Sequence, residues 1–482
     1  MAFRKVILLS AVKPKLTVLT REQIHQIHDY SLKILSAVGI RVDAKEARKI
    51  FADASVQPGE DNIVRIPADL VDWALKVAPS RVDIYNRKGS HVFELGNIQQ
   101  NPTRFGLGVT NLYYQDPLSD KILPFTRKHM EITARMGQRL SSFDMVSTPG
   151  VIQDCGPRVA DFYGTLEMAA NTTKPLVILV SEHNCFETVL DLIEHLNGGQ
   201  HERPFAIPYF NPITPLVLNQ STTAKMVTTI KRGLPFIYNS LGMSGANVPI
   251  TLSGSLALLN AELLAGLVFS QLVQEGAPLI LGNLPQDFDM KAMEGYYTAR
   301  TLPLNLACAE LMAHYGLPHS GSSGCGPGWS ADLMFAGVLW MNHLTACLGK
   351  VGLAPFVGGR FGSTVFSPTL VAYSHEVIRQ TRIFAQEFGL DNESVVVEEI
   401  KAVGPGGNFL MADQTVKLCR QTNCSSDIWP YLSLDDWQAE KMPKADDLLR
   451  RYTADLINSL QPPDDHDELM EKGEAFIRKA AS

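Results

Sequence analysis

Eight short β-type runs recur between Phe105 and Val357, roughly 30 to 45 residues apart, with a helical pattern between them. The runs are Phe105–Val109, Phe143–Thr148, Leu176–Val180, Ala206–Phe210, Pro235–Asn239, Leu279–Gly282, Pro318–Gly321 and Leu353–Val357. Repeated βα units build a parallel sheet, and eight of them over roughly 250 residues close into a (β/α)8 barrel. We therefore predict an α/β fold of the TIM-barrel class over residues 101–385. A doubly wound sheet is the alternative, but its phosphate-binding fingerprints GxGxxG and GxxxxGKS/T do not occur in this sequence.

The flanking segments differ in pattern from the barrel region. Residues 1–100 predict an N-terminal helical cap, in which Thr20 and Gln23 form a capping box and Pro67 starts a further short helix. Residues 386–482 predict a helix-rich C-terminal extension that packs on the flank of the barrel.

Composition excludes several classes of function. The chain of 482 residues is 45% hydrophobic and 19% charged, as in an ordinary globular protein. Its 43 Lys and Arg against 50 Asp and Glu give a net charge of -7, so neither nucleic acid nor an anionic membrane is an expected partner.

Location is predicted from apolar runs and cysteines. The run Val6–Leu9 is too brief for a signal sequence, and Leu256–Leu259 and Leu279–Leu281 fall far short of the about 20 residues of a spanning helix. Seven cysteines are scattered along the chain, which indicates free thiols in a reducing compartment. We expect a cytoplasmic protein.

Aromatic residues are concentrated after the predicted strands, where the βα loops of a barrel form its functional mouth. A cage of such rings attracts a quaternary ammonium with roughly 0.5 to 2 kcal/mol per ring. The predicted substrate-binding rings are Phe210, Phe288, Trp329, Phe356 and Phe361, with Tyr209 as a further candidate. The alternative, that each ring is part of the barrel core, stays open at this point.

Three polar residues in the same loops complete the predicted substrate site. Arg360 can pair bidentately with a substrate carboxylate, or it can brace its loop. Asp289 can face the cation, and Asn211 follows the fourth strand. Glu376 could lie at the mouth or brace a loop, and the structural role is the favoured prediction.

A glycine-rich loop follows the seventh run. Its glycines let the backbone approach a large flat cofactor closely, because glycine has no Cβ; a flexible hinge is the alternative. The predicted cofactor-binding residues are Gly321, Ser322, Ser323, Gly324, Cys325 and Gly326.

No metal site and no catalytic acid–base residue is predicted. The sequence contains neither HExxH nor CxxC, and Cys419 and Cys424 have no second pair nearby. His183 and Cys185 could supply two ligands after the third strand, but a third ligand is not evident.

Several segments, in this order, resemble the trimethylamine methyltransferase family from about residue 18 to 475. They are Thr20–His28 with Ile34–Leu35 and Gly39–Val42, then Asn171–Leu176, Asn211–Leu216, the Gly321–Trp329 loop, and Val403–Leu410.

The resemblance implies a TIM barrel that passes a methyl group from a methylated amine to the Co(I) corrinoid (cobalamin) of a separate corrinoid protein. That cofactor would be carried by the partner and not bound tightly to this chain. Founding members carry pyrrolysine in the loop corresponding to Gly321–Trp329, where this chain has ordinary residues. The chain is therefore similar to the non-pyrrolysine branch, which demethylates quaternary amines such as glycine betaine, and we expect a homo-oligomer.

Two departures from the family pattern leave the substrate open. The segment Trp329–Asp332, followed by Leu339, Asn342 and His343, replaces a common Thr-Asp pair and its Gln and Glu, and Gln414-Thr415 replaces a late His-Thr. A trimethylamine-type methyltransferase, a non-catalytic betaine binder and a TIM-barrel lyase remain alternatives.

Overall fold

A closed barrel of parallel strands forms the centre of the protein. The computed structural model describes residues 13–96, 101–181, 183–198, 203–349, 351–387, 395–422 and 425–480. The first six barrel strands and the eighth are Arg104–Leu107, Met145–Ser147, Leu176–Ile178, Ala206–Phe210, Phe236–Ser244, Leu279–Asp289 and Leu353–Val357.

The seventh strand is reduced to single bridges. His319 pairs in parallel with Leu281 of the sixth strand, and Ser320 pairs in parallel with Leu353 of the eighth. The eighth strand then pairs back to the first, Leu353 lying opposite Arg104. The predicted TIM barrel and its eight runs are confirmed.

The sixth strand is longer than its sequence indicates, because Gly282 is a close-packing site and not a strand end. A Cβ on Gly282 would lie 1.4 Å from the carbonyl oxygen of Ser320, so only glycine allows the two strands to approach. The strand continues to Asp289, and there it turns back into the antiparallel strand Glu294–Tyr296.

A helix follows each barrel strand and covers the barrel. These helices are Arg127–Arg139, Pro157–Asn171, Phe186–Leu196, Gln220–Lys231, Leu252–Val273, Leu302–Tyr315, Leu333–Leu348 and Pro368–Phe384. Several begin at side-chain caps that bind free backbone N–H groups, namely those of Asn219, Thr251, Asp332 and Ser367.

The helix Leu252–Val273 is long and apolar enough to cross a membrane by length and composition. The short apolar runs in the sequence did not indicate this, because Ser, Asn and Glu interrupt them. Its most apolar window is 83% buried, and it packs between the N-terminal helices and the fifth barrel strand. A core helix gives the same composition, because it too is surrounded by apolar side chains.

The N-terminal region contains the expected helices, Arg21–Lys33, Lys45–Asp53 and Ala68–Val77, and a π turn at Ile34–Val38. It also contains strands that the helical pattern did not predict. Ile40–Val42 pairs with Ile63–Val64 and with Val217–Leu218, and Arg81–Tyr85 forms a hairpin with His91–Gly96. The division of the chain into domains stays a prediction.

The hairpin closes the amino end of the barrel. Its apolar face enters the interior and shares one core with the first inward-facing residues of the barrel strands. The hairpin contributes Val82, Ile84, Phe93 and Leu95, and the strands contribute Met145, Val177, Ile207, Ile237, Ile280 and Leu353.

The C-terminal extension folds back along the barrel. Its helices are Val397–Val403, Asp413–Thr422, Leu434–Ala439, Ala445–Ser459 and His466–Ala480, and the last packs on Pro157–Asn171 and Phe186–Leu196. A small sheet joins Gly359–Arg360 and Val365–Phe366, which follow the eighth barrel strand, with Tyr113–Gln115 and Ile122–Pro124, which follow the first.

The segment Asn171–Leu176 has a structural role at the amino end of the barrel. The ammonium of Lys174 donates to the carbonyls of Gly137, Leu140 and Phe143 at 2.6, 3.0 and 2.6 Å. These carbonyls belong to the end of a helix and the turn into the second barrel strand, so one lysine fixes that connection.

We expect Lys174→Met to lower the stability of the fold by about 2 to 4 kcal/mol, because it leaves three carbonyls without their charged donor. Differential scanning calorimetry measures the effect as a lower melting temperature. Lys49→Met, at an exposed helix position, is the matched control. Equal melting temperatures for both variants would contradict the bracing role.

Candidate active site at the barrel mouth

A cavity of about 390 Å³ lies at the carboxyl end of the barrel strands. Residues from several strand ends converge there, as expected for the mouth of such a barrel. The apolar and aromatic part of its lining comprises Val109, Leu179, Tyr209, Leu241, Met243, Leu284, Tyr297, Phe356 and Phe361. The polar part comprises Thr110, Asn211, Gln286, Glu294, Ser363 and Thr364.

Aromatic rings line this inner cavity. Tyr209 and Phe356 meet edge to face, with centroids 5.0 Å apart and planes at 90°. Asn211 holds Tyr209 by donating from Nδ2 to the phenol oxygen at 2.9 Å and to the carbonyl of Asn239 at 2.8 Å. Burial raises the pKa of Tyr209 and of Tyr297 above the ordinary range, so both phenols stay neutral.

An outer cavity of about 590 Å³ adjoins the inner one, and Tyr297, Phe361 and Gly362 line both. Phe361, Gly362 and Ser363 have φ of 49°, 60° and 72°. This run of left-handed backbone is a tight turn, and it places the Phe361 ring between the two cavities.

The predicted rings divide into three groups. Phe356 lines the inner cavity, as does Phe361, which also lines the outer one, whereas Phe288 and Trp329 line only the outer cavity. Phe210 lines neither, because it alternates with Tyr209 along the strand and faces the helices, where its centroid lies 5.7 Å from that of Phe186.

Arg360 also lies outside both cavities, contrary to its predicted role as a carboxylate partner. It is 0% exposed, and its guanidinium lies 4.6 Å from the Phe335 ring centroid and donates to the carbonyl of Ser330. Burial lowers its pKa to about 10, so it remains charged near Asp332. The alternative role, bracing a loop, is the one that the geometry favours.

The predicted polar residues occupy different places. Asn211 lines the inner cavity, whereas Asp289 lines the outer one, where its Oδ1 accepts the backbone N–H groups of Lys291 and Ala292. Glu376 is buried and accepts hydrogen bonds from Arg379 and Gln380, as its structural assignment requires.

The glycine-rich loop is a packed wall and not an open cradle. Asn305 binds both backbone groups of Ser322, and Ser323 Oγ lies 2.8 Å from His343 Nδ1. A Cβ on Gly321 would lie 2.3 Å from Asn305 Oδ1, and one on Gly324 would lie 2.5 Å from Val357 Cα. The glycines therefore allow close packing of protein against protein, and of the six predicted residues only Gly326 lines either of these two cavities.

Among the lining residues that the predicted site omitted are Gln286, Glu294 and Tyr297. They lie on the extension of the sixth strand and just beyond it. A signal was present, since Asp289 is a typical turn residue and a Tyr pair follows it within eight residues. That pattern predicts a hairpin.

Among the described residues, no group of three or more His, Cys, Asp or Glu side chains could hold a metal ion. His183 and Cys185 lie in one short turn, where the Cys185 thiol donates to the carbonyl of Arg158.

The family model of trimethylamine methyltransferase (MTTB) matches residues 4–482. The chain belongs to this family. Its relatives include trimethylamine methyltransferase MttB of Desulfitobacterium hafniense, which is 26% identical over 90% of each chain. MttB2 of Methanosarcina mazei is 27% identical over 97% of this chain and 95% of the relative. The glycine betaine methyltransferase of D. hafniense is 24% identical over 96% and 97%.

A solved structure of the same fold is the monomethylamine methyltransferase MtmB of Methanosarcina barkeri. It has a TM-score of 0.55 and 10% identity and covers 92% of this chain and 88% of its own. This MTTB-family chain is thus an enzyme of the methyltransferase class with a TIM-barrel fold.

The packed loop predicts an unreactive thiol. Burial raises the pKa of Cys325 to about 11, although Ser363 Oγ donates to its sulfur at 3.2 Å. At pH 8 we expect iodoacetamide to label Cys325 about two orders of magnitude more slowly than the exposed Cys419, because the thiolate is the reactive form. The Cys325 rate should rise as pH approaches 10 in the folded protein. Peptide mass mapping measures both rates, and equal labelling would show that the loop is open.

Proposed function

We propose that this enzyme moves a methyl group from a quaternary amine to the Co(I) corrinoid of a partner corrinoid protein. The observation that carries the proposal is the inner cavity, where Tyr209, Tyr297, Phe356 and Phe361 surround one space at the barrel mouth. Neutral ring faces attract a cation that keeps no N–H donor.

Methyl transfer from a quaternary amine requires no proton transfer by the residues that line the inner cavity. When its corrinoid is bound, the Co(I) centre supplies the nucleophile that accepts the methyl group. A quaternary amine then leaves as a neutral tertiary amine, so this chain has no proton to deliver. Its residues hold the ammonium and orient one methyl group, and such orientation can contribute several kcal/mol.

The outer cavity fits a large, partly apolar group that arrives with a partner. Phe288, Trp329, Met334 and Val338 supply its apolar lining, and Trp329 is 66% exposed. Exposed apolar side chains of this kind typically mark an interaction surface. We therefore assign the corrinoid to this cavity, beside Gly326, rather than to the buried start of the glycine-rich loop.

Two other functions are less well supported. Trimethylamine is protonated at neutral pH, so its use requires an additional proton transfer, for which Glu294 is the one carboxylate among the described residues that line the inner cavity; a quaternary amine needs no such step. A non-catalytic betaine binder would need the inner cavity but not the adjoining outer one.

The homo-oligomer and the cytoplasmic location stay predictions. Exposed apolar side chains at Val397, Ile400, Leu410 and Met411 support an interface between copies. The described cysteines are free thiols, which supports a reducing compartment.

We expect the protein to convert cob(I)alamin to methylcobalamin with at least one quaternary amine from a panel of choline, glycine betaine, proline betaine and carnitine. The change in the corrinoid absorption spectrum measures it. If an amine binds but no methylcobalamin forms, either with free cob(I)alamin or with a corrinoid protein, the protein is instead a non-catalytic binder.

The ring assignment is tested by a pair of matched variants. Phe356→Leu should weaken binding of the preferred amine by about 1 kcal/mol, or about 5-fold, because one cation–π contact is lost. Phe210→Leu removes a ring of the same size that faces the helices, so it should lower stability and leave affinity nearly unchanged. Titration calorimetry measures both, and equal effects on affinity would contradict the assignment.

A further inference from the structure

The two cavities at the mouth are acidic. The inner cavity contains Glu294, and the outer cavity contains Asp287 and Asp289. Among the described residues that line either cavity, none is Lys, Arg or His. Arg300 binds and neutralises Asp287, so the net charge offered to a ligand comes from the other two carboxylates.

Glu294 is the carboxylate among the described residues that line the inner cavity with the aromatic rings, and the residue is exposed to solvent. It lies opposite Asp289 across the hairpin, and the hydroxyl of Tyr296 donates to its Oε2 at 3.1 Å. A Cβ on Gly362 would lie 3.7 Å from the same oxygen, so the carboxylate borders the turn between the two cavities. No basic side chain pairs with Glu294 within the part of the chain that the structure describes.

A ligand's own charge decides how it interacts with this site. An ammonium in the inner cavity is attracted both by the rings and by Glu294. A carboxylate on the same ligand is repelled by Glu294 and finds no cation, because Arg360 is sealed beneath Ser330 and Phe335. The amides of Asn211 and Gln286 are neutral, so they offset this repulsion only weakly.

We propose that the site selects quaternary ammonium compounds whose other substituents are uncharged, of the choline or tetramethylammonium type, and discriminates against betaines, with Glu294 as the specificity-determining residue. This inference rests on the proposed function, since it names the substrate class of the same cavity. It separates the chain from the glycine betaine enzyme to which it is 24% identical.

Titration calorimetry on the full-length protein, without any corrinoid, tests the preference for choline-type ligands over betaines. The probes are choline, glycine betaine and 3,3-dimethylbutan-1-ol, the uncharged analogue of choline. We expect choline to bind about 10-fold or more tightly than glycine betaine, and the uncharged analogue to bind weakly.

Substitutions of Glu294 test the mechanism of selection. Glu294→Gln should weaken choline about 3- to 10-fold, leave the uncharged analogue unchanged and reduce the preference over glycine betaine. Glu294→Arg should reverse the preference, because a guanidinium then pairs with the betaine carboxylate. Glu471→Gln, at an exposed position of the last helix, is the charge-matched control and should bind like the wild type.

The outcomes separate this inference from the proposed function. Tighter binding of glycine betaine by the wild type, or an unchanged preference in both Glu294 variants, overturns the inference even where methyl transfer occurs. Absence of methyl transfer from every amine, together with a choline preference that depends on Glu294, overturns the proposed function and leaves the charge selection intact. Circular dichroism of each variant shows that a changed affinity does not reflect unfolding.

Discussion

The closure of the barrel is the constraint on which the rest of the structure depends. Because the eighth strand pairs in parallel with the first, all the barrel strands point the same way and their carboxyl ends meet at one mouth. Closure also fixes which side chains face inward, since neighbours on a strand alternate. Tyr209 therefore joins the cavity, while Phe210 packs under the helices. The substrate site is a consequence of strand polarity and of this alternation.

Most of the barrel could be predicted from the sequence because its signal is local. Each β-type run is a short apolar segment followed by a helical pattern, and both depend on neighbouring residues. The hairpin Arg81–Gly96 could not be recognised in the same way, because its apolar face is matched only by strand residues far away in the chain. The length of the sixth strand depends on pairing with the fifth strand as far as Asp287 and with Glu294–Tyr296, and Gly282 admits the close approach of Ser320 from a different unit. Local pattern contains no information about such contacts.

The site was less predictable than the fold, for two physical reasons. A position after a strand indicates that a residue lies near the mouth. Whether its side chain lines the cavity or packs in the core depends on which of the two alternating directions it takes along the strand, as Phe356 and Phe210 show. Residue type, moreover, does not reveal what a side chain contacts. Arg360 and the glycines of the Gly321 loop have the chemistry of ligand-binding groups, yet their partners are Ser330, Asn305 and Val357 of the protein itself.

The turn of the hairpin at the amino end of the barrel is joined to the far end of the chain. Arg87 forms two hydrogen bonds of 2.8 Å with Asp465, a residue 378 positions later, and a third with the carbonyl of Thr172. During synthesis at about 5 to 20 residues per second, roughly 20 to 75 seconds pass between the appearance of the two partners. The hairpin therefore exists in the nascent chain long before the residue that anchors its turn has been synthesised.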